Sequence, residues 1–338
     1  MQPRFTFIDL FAGVGGLRIP FENIPNMQGK CILTSEKDAN ARKTYKENFK
    51  AKDSNGHKEN HDVTLLQAGE VPRHDLLLAG FPCQPFSNAG KRLGFEDMRG
   101  TLFFHIMDIL DGLAAGGEDL ENAPRVVLLE NVRGLKGHDG GRTLSRITEE
   151  LSRFYEVTIH LLDARDFGLP QSRQRLFIIG IRKDLPGSKA FGSLLELSLK
   201  EHESLRDRIR VGDILEKQVP EKYMISDRLW QSHQDRKRKH QERGNGFGYR
   251  LVTADSPHTA TLSARYYKDG SEILISDPNF PNPRKLTPRE AASLQGFPAD
   301  FKIPVSDTQA YKQFGNAVPV KVIEFLAANL APYLVEPD

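Results

Sequence analysis

The chain has 338 residues, 38% of them hydrophobic and 27% charged, with a formal net charge of +2, so it can bury a full core and is not a disordered protein. Its cysteines, Cys31 and Cys83, are too few and too far apart for a disulfide framework or a zinc site, which makes a reducing, cytoplasmic setting the default expectation. Its apolar runs fall short of the ~20 residues that span a bilayer, and its N-terminus lacks the long apolar core of a signal peptide.

Short β-rich runs alternate with amphipathic stretches in the first half of the chain, the pattern of a parallel α/β sheet. The predicted strands are Phe5–Leu10, Cys31–Ser35, Asp75–Ala79, Arg125–Leu129, Glu156–Leu162 and Leu176–Ile181. The predicted helices are Leu17–Glu22, Ala39–Phe49, Thr101–Leu113 and Thr143–Phe154, and polar loops at Lys52–Asn60 and Ala115–Ala123 interrupt the order. The carboxyl ends of parallel strands share one edge, where open α/β sheets bind ligands.

The first predicted strand runs into a glycine-rich turn, Phe-Ala-Gly-Val-Gly-Gly at residues 11–16. Gly13, Gly15 and Gly16 let the backbone approach a ligand in front of a helix N-terminus, although their spacing is not the dinucleotide fingerprint and is weak evidence alone. Glu36 stands at the end of the next strand, about 20 residues on, where its carboxylate can accept hydrogen bonds from both ribose hydroxyls. The pattern predicts a nucleotide-type cofactor loop. Asp62, with Val63 after it, would suit an adenine edge, but a lone aspartate there is more often a surface cap.

Cys83 lies in the turn Gly-Phe-Pro-Cys-Gln-Pro-Phe-Ser-Asn, residues 80–88, directly after the third predicted strand. Prolines stiffen this turn and cations follow at positions 91 and 92, so the surroundings are polar and electropositive and favour the thiolate. A nucleophilic role is therefore predicted for Cys83. Free cysteines are more often inert core residues, and we expect that of Cys31, which lies within an apolar run.

Charged side chains are predicted at the same edge of the sheet. Glu130 follows the apolar run 126–129, and a half-buried acid there tends to hold a proton, which suits donation to a ring nitrogen. A glutamate that caps the following turn is the alternative. Arg173 and Arg175 precede the last predicted strand, and alternation points both guanidinium groups to one side, as for contacts to an oxyanion or phosphate.

A separate domain is predicted from about Lys183 to Arg284, because the alternation weakens and Gly244–Tyr249 is too rich in glycine for a regular element. Cations cluster within it at 236–239, with Arg228, Arg243 and Arg250 nearby. Such a cluster fits either a phosphate-facing surface or the solvated face of a helix.

Regular structure resumes near the C-terminus. Thr287 as N-cap, Pro288 at the first position, Glu290 closing a capping box and Gly296 as terminator define one helix. The segment 313–318, Gln-Phe-Gly-Asn-Ala-Val, precedes an amphipathic helix from about Val320 to Leu330.

Taken in this order, six motifs resemble the DNA (cytosine-5)-methyltransferases over nearly the whole chain. They are Phe-Ala-Gly-x-Gly-Gly, Pro-Cys-Gln, Glu-Asn-Val, Gln-x-Arg-x-Arg, the Thr-Pro-Arg-Glu helix and Gly-Asn-Ala-Val. The resemblance implies a Rossmann-like, S-adenosylmethionine-dependent methyltransferase fold, a mostly parallel sheet with one antiparallel strand, and a smaller target-recognition domain. The implied divisions are a catalytic domain at 1–184 and 313–338, a recognition domain at 185–284 and a hinge segment with a recognition-domain helix at 285–312.

The family's chemistry assigns roles to these residues. The thiolate of Cys83 would add to carbon 6 of cytosine while Glu130 stabilises protonation at ring nitrogen 3, so that carbon 5 can attack the sulfonium methyl group of S-adenosylmethionine. S-adenosylhomocysteine is the product, and no metal is required. Arg175 would hold the cytosine carbonyl and Arg173 would neighbour the thiolate. The cofactor contacts implied are Phe11, Gly13, Gly15, Gly16, Glu36, Asp62, Val63, Pro82, Leu102 and Asn316.

The implied partner is double-stranded DNA, from which the target base must be flipped out at a cost of a few kcal/mol. The segment 87–100 resembles the family's mobile loop, with Ser87, Lys91, Arg92 and Arg99 as DNA contacts. A monomer suffices for one flipped base, and the resemblance implies a cytoplasmic enzyme associated with the nucleoid. A cognate restriction endonuclease is left open as a functional partner.

Residues 244–249 and 261–275 resemble the recognition domain of the Dcm-like subgroup, whose sites have the form CC-(W or N)-GG. Arg265 is the first candidate for a guanine contact, because a bidentate arginine reads the major-groove edge of guanine. Tyr266, Tyr267 and Lys268 would support it, and Thr261 resembles the threonine that positions the target phosphate. Since the cofactor strand begins by Phe5, a transcription-regulating extension at the N-terminus is not expected.

Three alternative functions share parts of this pattern. A tRNA cytosine-5 methyltransferase would use the same motifs, but the long recognition segment argues for a duplex DNA site. A catalytically silent DNA-binding relative is disfavoured by the intact Cys83, Glu130 and Arg175. A nicotinamide oxidoreductase is rejected because its glycine spacing differs and the Pro-Cys-Gln motif would have no role.

Overall fold

The structure is a computed structural model that describes residues 2–53, 56–82, 102–114, 120–202, 206 and 208–336. The predicted nucleophile Cys83 lies outside these described residues. So do the predicted DNA contacts Ser87, Lys91, Arg92 and Arg99.

One mixed sheet organises the described part of the chain, with the strand order β3-β2-β1-β4-β5-β7-β6. Its strands are β1 (Arg4–Leu10), β2 (Gln28–Ser35), β3 (Lys58–Asn60), β4 (Leu76–Ala79), β5 (Val126–Val132), β6 (Tyr155–Asp163) and β7 (Gln174–Arg182). Neighbouring strands pair in parallel except at β7, which is antiparallel to both β5 and β6. The predicted mostly parallel sheet with one antiparallel strand is confirmed.

The six predicted strands are all present, with ends that differ by a few residues. The prediction of a polar loop over Lys52–Asn60 is wrong at its end, where β3 pairs with β2. This short strand is polar throughout, so it carries no apolar alternation by which the sequence could reveal it.

Helices cover both faces of the sheet, and further helices lie outside these two layers. They are α1 (Arg18–Glu22), α2 (Ala39–Phe49), α3 (Leu102–Leu113), α4 (Arg142–Leu151), α5 (Phe191–His202), α6 (Asp227–Glu242), α7 (Pro288–Leu294), α8 (Asp307–Asn316) and α9 (Val320–Leu334). A separate two-stranded pairing joins β8 (Leu251–Val252) to β9 (Leu274–Ile275). The start of α7 is as predicted, because the Thr287 hydroxyl accepts from the Glu290 N–H and the Glu290 carboxylate accepts from the Thr287 N–H.

Alternation along the strands divides the core between the two faces of the sheet. Phe7, Leu78 and Leu128 pack on one face with the apolar side of α9, whereas Leu77 and Leu129 pack on the other with α3 and α4. A third cluster joins the glycine-rich turn and α2 to α7 and α8. The C-terminal helices therefore lie beside the carboxyl edge of the parallel strands.

The segment Asp307–Leu334 is long and apolar enough to cross a membrane by length and composition, although Lys312, Lys321 and Glu324 keep its uninterrupted apolar runs short. It consists of α8 and α9, which a break at 317–319 separates. Phe314, Val322 and Leu326 of these helices are buried among core residues of the protein. Its hydrophobicity is accounted for by this packing.

Candidate active site

A cavity of about 680 Å³ opens at the carboxyl edge of the parallel strands, within the size range of small-molecule sites. The ends of β1, β2, β4 and β5 form its floor, and residues of α8 close one side. The wall contains all but one of the residues predicted to contact the cofactor, namely Phe11, Gly13, Gly16, Glu36, Asp62, Val63, Pro82, Leu102 and Asn316. Segments far apart in sequence thus meet at the carboxyl edge of the parallel strands, as the sheet topology predicts.

Glu36 is held against the cavity wall by the backbone on either side of it. One carboxylate oxygen accepts the Gly13 N–H at 2.8 Å and the other accepts the Asp38 N–H at 2.7 Å. Each oxygen keeps a lone pair for a further donor. This fixed acceptor fits a ribose diol, and the apolar side chains of Phe11, Val63 and Leu102 offer surfaces for a base.

Asp62 combines its place on the cavity wall with a capping role. Its carboxylate accepts from the Thr64 N–H and hydroxyl and pairs with Lys37 at 2.7 Å, which lowers its pKa to about 2. The simple reading of Asp62 as a cap is therefore also correct. The cap fixes the turn that places Val63 in the cavity wall.

The turn after β1 adopts a left-handed backbone at three positions, Phe11 (φ +56°), Gly13 (φ +55°) and Gly15 (φ +88°). A non-glycine residue rarely adopts this conformation, and such strain concentrates at functional sites. Gly15 does not line the cavity, contrary to its prediction as a cofactor contact. A Cβ atom there would lie 2.3 Å from the ring of Phe49, so Gly15 is needed for packing behind the turn.

A buried polar cluster supports the turn from behind. Arg18 donates to Tyr45, Asp53 and Glu22, and its guanidinium lies 4.2 Å from the ring centroid of Phe49. The Tyr45 hydroxyl donates to Asp9, whose pKa burial raises to about 7. Cys31 is buried beside them, as expected, and burial raises its pKa to about 12, so it is not a thiolate.

Glu130 of β5 and Arg175 of β7 pair diagonally across these neighbouring strands, and both line the cavity. Glu130 Oε1 lies 3.0 Å from Arg175 Nε, and the Arg175 Nη1 also donates to the Gln174 carbonyl at 2.8 Å. Burial raises the pKa of Glu130, although the neighbouring arginines act in the opposite direction. A carboxyl group in this position can hold a proton and deliver it to a basic ring atom in the cavity.

Two residues that the sequence did not single out shape the site around Glu130. Asn131 donates from its side chain to the Phe81 carbonyl at 2.9 Å and so ties β5 to the segment that leads to Cys83. Gly80 lies where an added Cβ would sit 3.6 Å from Glu130 Oε2. Asn131 belongs to the Glu-Asn-Val motif, so this motif is the sequence pattern that could have indicated its role.

Arg173 and Arg175 do not aim at one site, contrary to the prediction from alternation. Arg173 precedes β7 and is fully buried, and it is not part of the cavity wall. Its guanidinium donates to three carbonyls, those of Leu262, Gly315 and Ala317. These hydrogen bonds hold together the segments around the site. The prediction that Arg173 neighbours the thiolate concerns Cys83, which lies outside the described residues.

The predicted DNA contacts at 261–268 differ in exposure. Arg265 and Lys268 are exposed, and Tyr267 is half-buried with Lys312 over its ring at 5.1 Å. Tyr266 is fully buried, donates to the Ile273 carbonyl and accepts from the Leu286 N–H. Its prediction as a DNA contact that supports Arg265 is wrong, because its hydroxyl and ring belong to the core.

Thr261 donates its hydroxyl hydrogen to the Ser172 carbonyl. This hydrogen bond joins its segment to the residues just before β7. The lone pairs of the hydroxyl oxygen remain. Among the residues that the structure describes, no group of three or more histidine, cysteine or acidic side chains has metal-binding geometry.

Residues 5–331 match the family model of the C-5 cytosine-specific DNA methylases. The chain is 49% identical to the Type II methyltransferase M.DsaV of Dactylococcopsis salina over 98% of this chain and 88% of that protein. It is 49% identical to the Type II methyltransferase M1.ScrFI of Lactococcus lactis subsp. cremoris, over 98% of this chain and 79% of the relative. The DNA-cytosine methyltransferase of Escherichia coli K12 is 39% identical over 97% of this chain and 78% of its own length.

Solved structures with the same fold include the Dnmt2 methyltransferase of S. pombe, with a TM-score of 0.73 and 22% identity over 97% of this chain and 99% of that one. The Entamoeba histolytica methyltransferase EhMeth superposes with a TM-score of 0.70 and 21% identity, covering 99% of this chain and 100% of that chain. At this identity the likeness concerns the fold.

Proposed function

This chain belongs to the C-5 cytosine-specific DNA methylases, and from that premise we propose that it methylates one cytosine of a short duplex site of the form CC-(W or N)-GG. It is a DNA (cytosine-5)-methyltransferase that uses S-adenosylmethionine. The bound cofactor supplies an electrophilic methyl group. The observation that carries the assignment of the active site is the Glu130–Arg175 pair, which lies in the wall of the same cavity as Glu36 and the glycine-rich turn.

We assign the cofactor to the cavity side formed by Phe11, Gly13, Glu36 and Val63. Glu36 would accept the ribose hydroxyls with the lone pairs that the Gly13 and Asp38 N–H groups leave free. Gly16 supports the adjoining wall, since a Cβ there would lie 3.0 Å from Val318.

Glu130 would hold the proton that goes to nitrogen 3 of the flipped cytosine. Burial raises the pKa of Glu130 and so favours its protonated form, and Arg175 at 3.0 Å orients the carboxyl group. The remaining donors of Arg175 point to a role in holding the carbonyl oxygen of the same base. Protonation at nitrogen 3 withdraws electrons from the ring, so carbon 6 becomes open to a nucleophile.

Cys83 is the nucleophile in this proposal, because it directly follows Pro82, which lines the cavity. Its thiolate would add to carbon 6, which makes carbon 5 nucleophilic towards the methyl group that the bound cofactor would supply, with S-adenosylhomocysteine as the leaving group. Removal of the carbon-5 proton by a base would then eliminate the Cys83 thiol and restore the aromatic ring.

We propose a catalytic domain at 1–184 and 313–338, a recognition domain at 185–284 and a hinge segment at 285–312. The β8–β9 pairing is separate from the main sheet, which supports a distinct recognition domain. Arg173 supports a contact between the two domains, because it donates to the carbonyl of Leu262 in one and of Gly315 in the other. Within the recognition unit, the exposed Arg265 and Lys268 are the candidates for base contacts. The Type II names of the relatives support a place in a restriction-modification system with a partner endonuclease. We place the enzyme in the cytoplasm, where its DNA substrate lies.

The experiment that tests this proposal is expression in bacteria that lack cytosine methylation, followed by genome-wide mapping of bisulfite-resistant cytosines. We expect resistance at one cytosine of CC-(W or N)-GG sites in the wild type, none with Cys83→Ala, and wild-type resistance with the matched control Cys31→Ala. Resistance at another motif would overturn the site, and resistance in Cys83→Ala would overturn the nucleophile. No resistance in DNA, with methylation found in RNA, would overturn the DNA substrate.

A further inference from the structure

The cationic cluster of the sequence lies on α6, and several cations of this helix line one largely exposed face of it. A shallow cavity of about 520 Å³ runs along this face, lined by Arg228, Gln231, Ser232, Asp235, Arg236, Lys239, His240 and Arg243. These positions recur every three or four residues and form a stripe, which we call the α6 stripe. From Arg228 to Arg243 the stripe extends about 22 Å along the helix.

The opposite face of α6 packs against the protein. His233 is buried and its Nε2 lies 3.3 Å from the Asp269 carbonyl oxygen, while Trp230 contacts Tyr249 with ring centroids 4.8 Å apart. Lys237 lies over the Tyr249 ring at 4.3 Å. The helix is thus fixed by one face, and the α6 stripe points to solvent.

Part of the charge on the α6 stripe is already neutralised. Arg236 pairs with Asp269 at 3.1 Å, and Asp235 pairs with Arg238 at 2.9 Å. Within the part of the chain that the structure describes, Arg228, Lys239 and Arg243 make no ion pair. All three are exposed, so their charge is available to a partner.

The α6 stripe lies next to the loop predicted to reach the DNA bases. Asp269, which anchors α6 through Arg236, comes directly after Lys268 in that loop. Two residues earlier, Tyr267 contacts Lys312, a residue of the active-site cavity wall. A duplex that delivers a base to the cavity would pass the loop and then α6.

We propose that the α6 stripe binds the phosphate backbone of the duplex outside the recognition site, through Arg228, Lys239 and Arg243. This inference rests on the proposed DNA substrate and adds a sequence-independent contact surface to it. The length of the stripe equals the stretch of duplex axis over which one strand carries about six phosphates, at 3.4 Å of axis each. Cations on a fixed helix meet a uniform row of negative charges there, which is electrostatic complementarity without base readout.

The test is the salt dependence of DNA binding, measured by fluorescence anisotropy with a 30-base-pair duplex that carries the site. We expect the triple variant Arg228→Gln/Lys239→Gln/Arg243→Gln to lower the slope of log Kd against log salt by about 0.9 for each lost contact. Between 50 and 200 mM salt, the wild type would then lose about 40-fold more affinity than the variant. The ratio of Kd values for specific and unrelated duplexes should stay unchanged.

A matched control removes three exposed cations from the opposite edge of the sheet, with Lys30→Gln/Lys183→Gln/Lys189→Gln. Lys30 lies in the first half of β2 and Lys183 follows the end of the antiparallel β7, so both are far from the carboxyl edge. An equal slope change in both triple variants, or none in the α6 variant, would overturn the proposal. So would a loss of affinity at one base pair only, or a wild-type dimer that dissociates in the α6 variant.

Methyl transfer at saturating DNA separates this proposal from the proposed function. The α6 variant should keep the wild-type turnover under those conditions, because its substitutions lie outside the cavity. If the wild type itself transfers no methyl group to any duplex, the proposed function fails, and the anisotropy slopes still decide whether the α6 stripe binds phosphates. Equal thermal unfolding midpoints of the variants verify that all of them are folded.

Discussion

Replacement of Gly15 by alanine perturbs the packing behind the cofactor turn without adding a charge or a polar group. The new Cβ would lie 2.3 and 2.6 Å from two carbons of the Phe49 ring. The ring has little room to yield, since Tyr45 packs on it at 4.6 Å and the Arg18 guanidinium at 4.2 Å. We expect about 1–2 kcal/mol from the left-handed backbone and about 1–3 kcal/mol from the overpacking, a loss of about 2–5 kcal/mol together.

Gly13→Ala is the matched control, because its backbone is also left-handed but a Cβ there meets no atom within 4 Å. It should lose only the backbone contribution, about 1–2 kcal/mol. Equilibrium urea unfolding of the wild type and both variants measures the difference. Equal losses in the two variants would refute the reasoning that Phe49 is what excludes a side chain at Gly15.

A double variant tests the same contact independently. Gly15→Ala/Phe49→Leu should lose less stability than the two single variants added together, by about 1 kcal/mol or more, because the smaller side chain makes room for the new methyl group. Strict additivity would show that the two positions are not coupled.

Glu130→Gln should lower the rate of methyl transfer by about 10²–10⁴-fold with little change in the KM for the cofactor, because the amide cannot supply the proton; a radiolabelled methyl assay checks this, and unchanged turnover would remove Glu130 as the acid. Asp9 has a folded pKa of about 7 against an ordinary value of 3.8, so the folded state binds its proton more tightly and stability should fall as pH rises from about 4 through 7. The fall is on the order of 4 kcal/mol at most, and urea unfolding at several pH values should show that Asp9→Asn flattens it; an unchanged pH profile would contradict the assignment. Glu290→Gln should cost about 1–3 kcal/mol in the same assay, because it removes the bidentate carboxylate of the buried Arg284 while Asp277 stays paired with the Arg284 Nε; no measurable loss would show that the pair is dispensable.

Local patterns were sufficient for the fold class and for the edge on which the site lies. Short β-rich runs between amphipathic stretches predicted six strands of the sheet, and the residues at strand ends, Glu36 and Glu130 among them, then had to meet at one edge because the strands are parallel. The capping box of Thr287 and Glu290 predicted the start of α7, since every partner lies within one turn of chain. Such features depend on contacts between residues that are close in sequence, so a local sequence pattern records them.

The tertiary structure alone decided which predicted residues face the cavity. Arg173 and Arg175 are two residues apart, yet Arg173 binds carbonyls that lie 89 and 142 residues further along the chain, whereas Arg175 binds Glu130. Tyr266 is buried because the backbone of Leu286 and the carbonyl of Ile273 occupy its hydroxyl, and Gly15 is a packing residue because the ring of Phe49 lies against it. Hydrogen bonds and steric contacts between distant segments form only when the chain is folded, so no local pattern in the sequence records them.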